Sequence, residues 1–90
     1  KGESDHLLVG KVAEDTKDGK TLVFVRNKIC VNDRLEILGP SRPTASDRVT
    51  SIVNEKGIHT DIVQNGSVAA MTLQGAYKKN DIIRKRIKPH

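Results

Sequence analysis

Ninety residues, 36% of them hydrophobic and only Phe24 and Tyr77 aromatic, make one small domain whose core has to come from Val, Ile and Leu. The formal net charge of +5 permits an anionic partner without requiring one, and 30% charged residues is ordinary for a folded chain. A single cysteine, Cys30, excludes an internal disulfide and any multi-cysteine zinc or iron–sulfur site, and no apolar run nears the roughly 18 residues of a membrane span.

Branched aliphatic side chains favour strands, and the turn signals between the apolar runs are frequent. The polar opening "KGESD" (residues 1–5) reads as the remnant of a linker, with a domain over residues 6–88. "HLLVGKV" (6–12) predicts a strand, "TKDGK" (16–20) a glycine-containing reversal and "TLVFVRN" (21–27) a second strand, together a hairpin. Both runs are nearly continuously apolar, as in strands covered on both faces. "RLEIL" (34–38) alternates with period two, Leu35 and Ile37 on one face and Arg34 and Glu36 on the other. "GPSRPTAS" (39–46) predicts a loop. "DRVTSIVN" (47–54) predicts a strand with Val49 and Val53 opposed to Arg48 and Thr50, and "EKG" (55–57) turns into a strand "IHTDIV" (58–63). "QNG" (64–66) is a strong turn signal, "SVAAMTLQ" (67–74) leans towards strand, and "DIIRKRI" (81–87) predicts a last strand with basic residues outward. Six or seven short strands at about ten-residue spacing predict an all-β domain, a small closed or partly open β-barrel.

Two strands are entered through the same dipeptide. Asn32-Asp33 precedes "RLEIL" and Asn80-Asp81 precedes "IIRKRI". A tight turn into a strand usually needs a positive φ, which Asn tolerates best after glycine, and the following Asp can accept a backbone N–H and hold the turn closed. Asn32, Asp33, Asn80 and Asp81 are therefore expected to be structural turn residues.

The stretch "VGKV…LVFVRNKICVNDRLEILGP" with the closing "DIIRKRI" resembles the C-terminal domain of the U32 peptidases, the collagenase-like proteases. Arg26, Asn27, Asp33, Leu35, Glu36, Ile37, Leu38, Pro40 and Asp81 match the family pattern, while Asn32 and Asn80 occupy glycine places and Ile29 a usual phenylalanine place. The likeness runs from about residue 7 to 87 and is thinnest between Asp47 and Gln74. It implies a barrel similar to the second domain of translation elongation factors. It also implies a non-catalytic accessory domain at the C-terminal end of a longer hydrolase. The implied partner is a catalytic domain upstream in the same chain, with a protein substrate or RNA as further partners. The RNA alternative follows from relatives that look like RNA hydroxylases with an iron–sulfur cluster elsewhere in the chain.

No chemistry is legible within the ninety residues. "GKT" (19–21) lacks the glycine of a phosphate loop, since Glu14 stands five residues earlier, and a strand follows in place of a helix. "EDTKDG" fails as a calcium loop because Val25 stands where the closing Glu belongs. His6, His59 and His90 show no metal-ligand spacing, no serine lies in a nucleophile elbow, and Cys30 has no histidine nearby in sequence. No catalytic residue, metal or cofactor is assigned. The cations Arg26, Lys28, Lys78, Lys79, Arg84, Lys85, Arg86 and Lys88 are candidates for contact with an anion or RNA, those of the last strand presented together along one edge. With few aromatics, such binding would follow the phosphate backbone. The lone thiol suits a reducing compartment, so a cytoplasmic location and no membrane contact are expected.

Overall fold

The computed structural model describes residues 5–86, and every regular element in them is a strand. The strands are β1 (His6–Val12), β2 (Lys20–Val25), β3 (Ile29–Cys30), β4 (Arg34–Leu38), β5 (Ala45–Arg48), β6 (Ser51–Val53), β7 (His59–Thr60), β8 (Ile62–Val63), β9 (Val68–Thr72) and β10 (Ile82–Arg86). Eight form one antiparallel sheet in the order β5-β4-β10-β1-β2-β9-β6-β7, and β3 pairs with β8 in a separate ribbon. The sheet curls into a small, partly open barrel around a core that includes Val9, Val12, Val23, Ile29, Leu35, Val49, Ile52, Met71 and Ile83.

Several elements depart from the sequence reading, each for a physical reason. The predicted strand 47–54 is two strands with a corner at Val49–Thr50. β5 pairs with β4 at one edge of the sheet, whereas β6 pairs with β9 near the other, so the chain from 45 to 53 bridges the barrel's opening. The corner resets the alternation: Ile52 is buried and Val53 is not. The predicted loop 39–46 gives up Ala45 and Ser46 to β5, and the predicted strand 58–63 divides into β7 and β8, which serve different sheets. These two splits, with the two-residue β3 that the pattern does not mark, bring the strand number from six or seven to ten. β1 and β2 are not covered on both faces. β2 alternates strictly, with Val23 and Val25 inside and Leu22 and Phe24 outside, 37% and 46% exposed. A single curled sheet has one interior, so half of a continuously apolar strand must face outward.

β1 carries a bulge between Leu8 and Gly10. A Cβ on Gly10 would stand 2.8 Å from a Val23 methyl and 2.9 Å from the Phe24 carbonyl, so the close approach of β2 there requires glycine. The β1–β2 reversal is tipped by Asp18 and Gly19, at φ 54° and 77°, with Lys17 and Lys20 exchanging two backbone hydrogen bonds across it.

The two Asn-Asp turns have the same construction. Asn32 lies at φ 80° and Asn80 at 78°. The N–H of Asp33 donates to the Cys30 carbonyl and that of Asp81 to the Lys78 carbonyl, both at 3.0 Å. The aspartate side chains complete each loop by accepting from the N–H of Cys30 (2.8 Å) and of Lys78 (3.0 Å). Each turn then grips a neighbouring segment in the same way, Asn32 and Asp33 through Val49, Asn80 and Asp81 through Val12. Because β4 and β10 are antiparallel neighbours, the turns close opposite ends of that pair. Each carboxylate also meets a cation: Lys85 reaches Asp33 at 3.0 Å, and Arg42 pairs with Asp81.

Candidate docking face

The outward side of the sheet is ordered by its register. Phe24 lies between Val68 of β9 and Lys11 of β1; Lys11 faces Ile82 of β10, which faces Leu38 of β4. One row across five strands is thus apolar except for Lys11, whose stem can lie along its neighbours. Leu22, opposite Ala70, extends the apolar area beyond Phe24. Of these, Phe24, Ile82 and Leu22 are 46%, 38% and 37% exposed. Towards the other ends of β10 and β4 the face turns polar: first a row of Leu8, Arg84, Glu36 and Ser46, then His6, Arg86, Arg34 and Arg48.

The cations singled out in the sequence do not converge on one patch. Lys78 and Lys79 precede the turn at the Ile82 end of β10, beside Asp15, which accepts from the Lys79 N–H at 2.9 Å and lies 4.0 Å from the Lys78 amine. Arg84, Lys85 and Arg86 lie towards the opposite end. β10 is an interior strand, so its cations project to alternate faces and form no edge. Arg84 pairs with Glu36 at 2.8 Å, which with the charges of His6 and Arg86 holds the Glu36 carboxyl below its usual range. Lys85 is spent on Asp33. Arg26 and Lys28 are exposed in the turn after β2, where the Arg26 N–H donates to the Val9 carbonyl at 2.7 Å. Lys88 lies outside the described residues. The carriers of the face that the sequence pattern does not mark are Leu22, Phe24 and Arg34. Leu22 and Phe24 lie in an apolar run, and only the paired register shows which half of such a run is inside.

Two buried carboxylates hold the barrel behind this face. Asp47 accepts from the N–H groups of Arg48 (2.8 Å), Gln74 (3.0 Å) and Gly75 (2.9 Å) and from the Tyr77 hydroxyl. Burial pushes Asp47 towards protonation, but these four donors more than offset it and leave the carboxyl below its usual range. Burial and the same carboxylate drive the Tyr77 hydroxyl well above its usual value. Asp81 is likewise opposed by burial and held low by Arg42 and the Lys78 N–H. Asp47 is saturated with four structural donors, and buried Asp81 is engaged on both oxygens, by Arg42 and by the Lys78 N–H. Among the described residues, no three His, Cys, Asp or Glu side chains gather as a metal site, and no helix is long and apolar enough to cross a membrane.

A small, partly open all-β barrel with saturated carboxylates and an unpartnered outer face defines a β-barrel module. The profile described as the peptidase family U32 C-terminal domain matches residues 4–84, so the chain belongs to that family. It is similar in fold to the crystal structure of the C-terminal domain of a Geobacillus thermoleovorans protein titled as a U32 peptidase, with a TM-score of 0.78, 18% identity, and 88% of this chain and 90% of that one covered. The selenomethionine variant of the same domain superimposes with a TM-score of 0.78 at 20% identity, covering 88% of this chain and 99% of that one. No curated protein sequence matches the chain.

Proposed function

We propose that this barrel is a non-catalytic accessory domain that packs against the catalytic domain upstream of it in a U32-type peptidase, through the outer apolar row. The family's place at the C-terminal end of such peptidases supplies the neighbour. The observation that carries the reading is the row Val68, Phe24, Lys11, Ile82 and Leu38, continuous across five strands, with Phe24 and Ile82 exposed and the other three half-buried. A sheet face that exposes Phe24 to 46% leaves about 90 Å² of a side chain whose full area is about 200 Å². Covering it is worth about 2 kcal/mol at 25 cal/mol per Å², about thirtyfold in association.

The alternative, an RNA-contacting role for the basic half of the face, ranks second because Arg84 and Lys85 are already paired with Glu36 and Asp33. The two readings separate in one experiment. Phe24→Asp combined with Leu22→Asp should leave the isolated barrel's unfolding midpoint within a few degrees, since both side chains point outward. In the intact peptidase the same changes should uncouple the barrel, giving a second unfolding transition at the isolated barrel's temperature. An intact protein that still unfolds as one unit would refute packing through this row.

A further inference from the structure

We infer that the row of arginines at the far end of the same face, Arg86, Arg34 and Arg48, is a binding site for a phosphate-bearing anion. Arg34 and Arg48 are direct cross-strand partners on β4 and β5. The β10–β4 register ends at the Arg84–Glu36 pair, and beyond it Arg86 of β10 lines the same groove as Arg34 of β4. The exposed stems of Arg34 and Arg48 therefore stand about 5 Å apart on adjacent strands, with Arg86 across a groove from Arg34. Like charges placed opposite one another destabilise a sheet. A solvated arginine would serve as well on any other outward position, so the clustering needs a compensating anion.

The protein does not supply one among its described residues. Arg34 and Arg48 take part in none of the ion pairs there, and Arg86 only adds to the positive field at Glu36, whose carboxylate is bound to Arg84. Asp33 is held by Lys85 and the Cys30 N–H, and Asp47 by its four donors. Arg34 sits between two grooves, one lined also by Arg86, Ser46, Lys85 and the already paired carboxylates of Asp33 and Glu36, the other by Arg48, Ser46, Thr50, Gln74 and the donor-saturated Asp47. Planar forks flanked by a hydroxyl and an amide suit a tetrahedral oxyanion, which accepts from several directions and carries two or more charges. A single carboxylate offers one plane and one charge to three cations.

The test is a titration of the ninety-residue chain with pyrophosphate at constant ionic strength, followed by calorimetry and by thermal unfolding. Saturable binding and a raised midpoint are expected, with roughly tenfold weaker binding for Arg34→Gln and for Arg48→Gln and its loss in the double variant. The unliganded double variant should unfold at a higher temperature than the parent, because the like-charge pair is gone. Arg26→Gln with Lys28→Gln should bind as the parent does. No saturable binding, equal loss in the Arg26/Lys28 variant, or equally tight binding of a glutamate-rich peptide of matched charge would each overturn the assignment.

Discussion

Replacing Asp47 by alanine should cost this domain a large part of its stability. The carboxylate, 8% exposed, is the acceptor for the Gln74 and Gly75 N–H groups and the Tyr77 hydroxyl, and so ties β5 to the segment after β9. Alanine leaves these three donors and the Arg48 N–H without their acceptor, each costing about 1–3 kcal/mol where water cannot reach. Gln74 and Arg48 are exposed and recover water, so the sum comes to about 4 kcal/mol. A domain of this size has about 5–13 kcal/mol in total. Urea unfolding at pH 7, followed by circular dichroism, should show the midpoint falling by about 4 M at a slope near 1 kcal/mol per M. Tyr77→Phe alone should cost about 1.5 kcal/mol, and much less once Asp47 is already alanine, because the hydroxyl has then lost its partner. An alanine variant within 1 kcal/mol of the parent, or additive losses in the double variant, would refute the reasoning.

The pH dependence has a fixed sign. Asp47, Asp81 and Glu36 have folded-state pKa values below the ordinary ones, so their stabilisation is complete above about pH 5 and drains as the pH falls through the folded values. Thermal midpoints should be flat from pH 5 to 8 and drop below pH 4, with a shallower drop in Asp81→Asn. At the turns, Asn80→Gly should be close to neutral and Asn80→Ala should cost about 1 kcal/mol in urea unfolding, since alanine at φ 78° carries the left-handed penalty. Arg42→Ala should lower the thermal midpoint more at pH 7 than in acid below the lowered folded-state pKa of Asp81, where the protonated carboxyl no longer needs the cation.

The all-β class, the β4 alternation and the last strand were legible because periodicity and turn chemistry act within a few residues. Asn32 and Asn80 announced their turns because few residues other than glycine tolerate φ near 80°. What escaped depends on which strand lies beside which. No local pattern tells that the chain from 45 to 53 crosses from one sheet edge to the other, which is why Val53 was placed inside in place of Ile52. The same holds for the face. Arg34 and Arg48 are fourteen residues apart in sequence and become neighbours only through the β4–β5 register. Phe24 looked like core because an apolar run carries no mark of which side has a cover. The Asp47–Tyr77 contact could have been suspected from the one tyrosine, since a buried hydroxyl needs a partner, but nothing local named the carboxylate.

The claim on which the account turns is that the Phe24 row faces the upstream domain. A photoreactive phenylalanine analogue placed at position 24 of the intact protein, irradiated and digested, tests it directly. Cross-links joining residue 24 to peptides of the upstream domain are the predicted result, with none from the same analogue at exposed Lys56 in the β6–β7 turn. Cross-links absent at 24, or found equally at both positions, would contradict it.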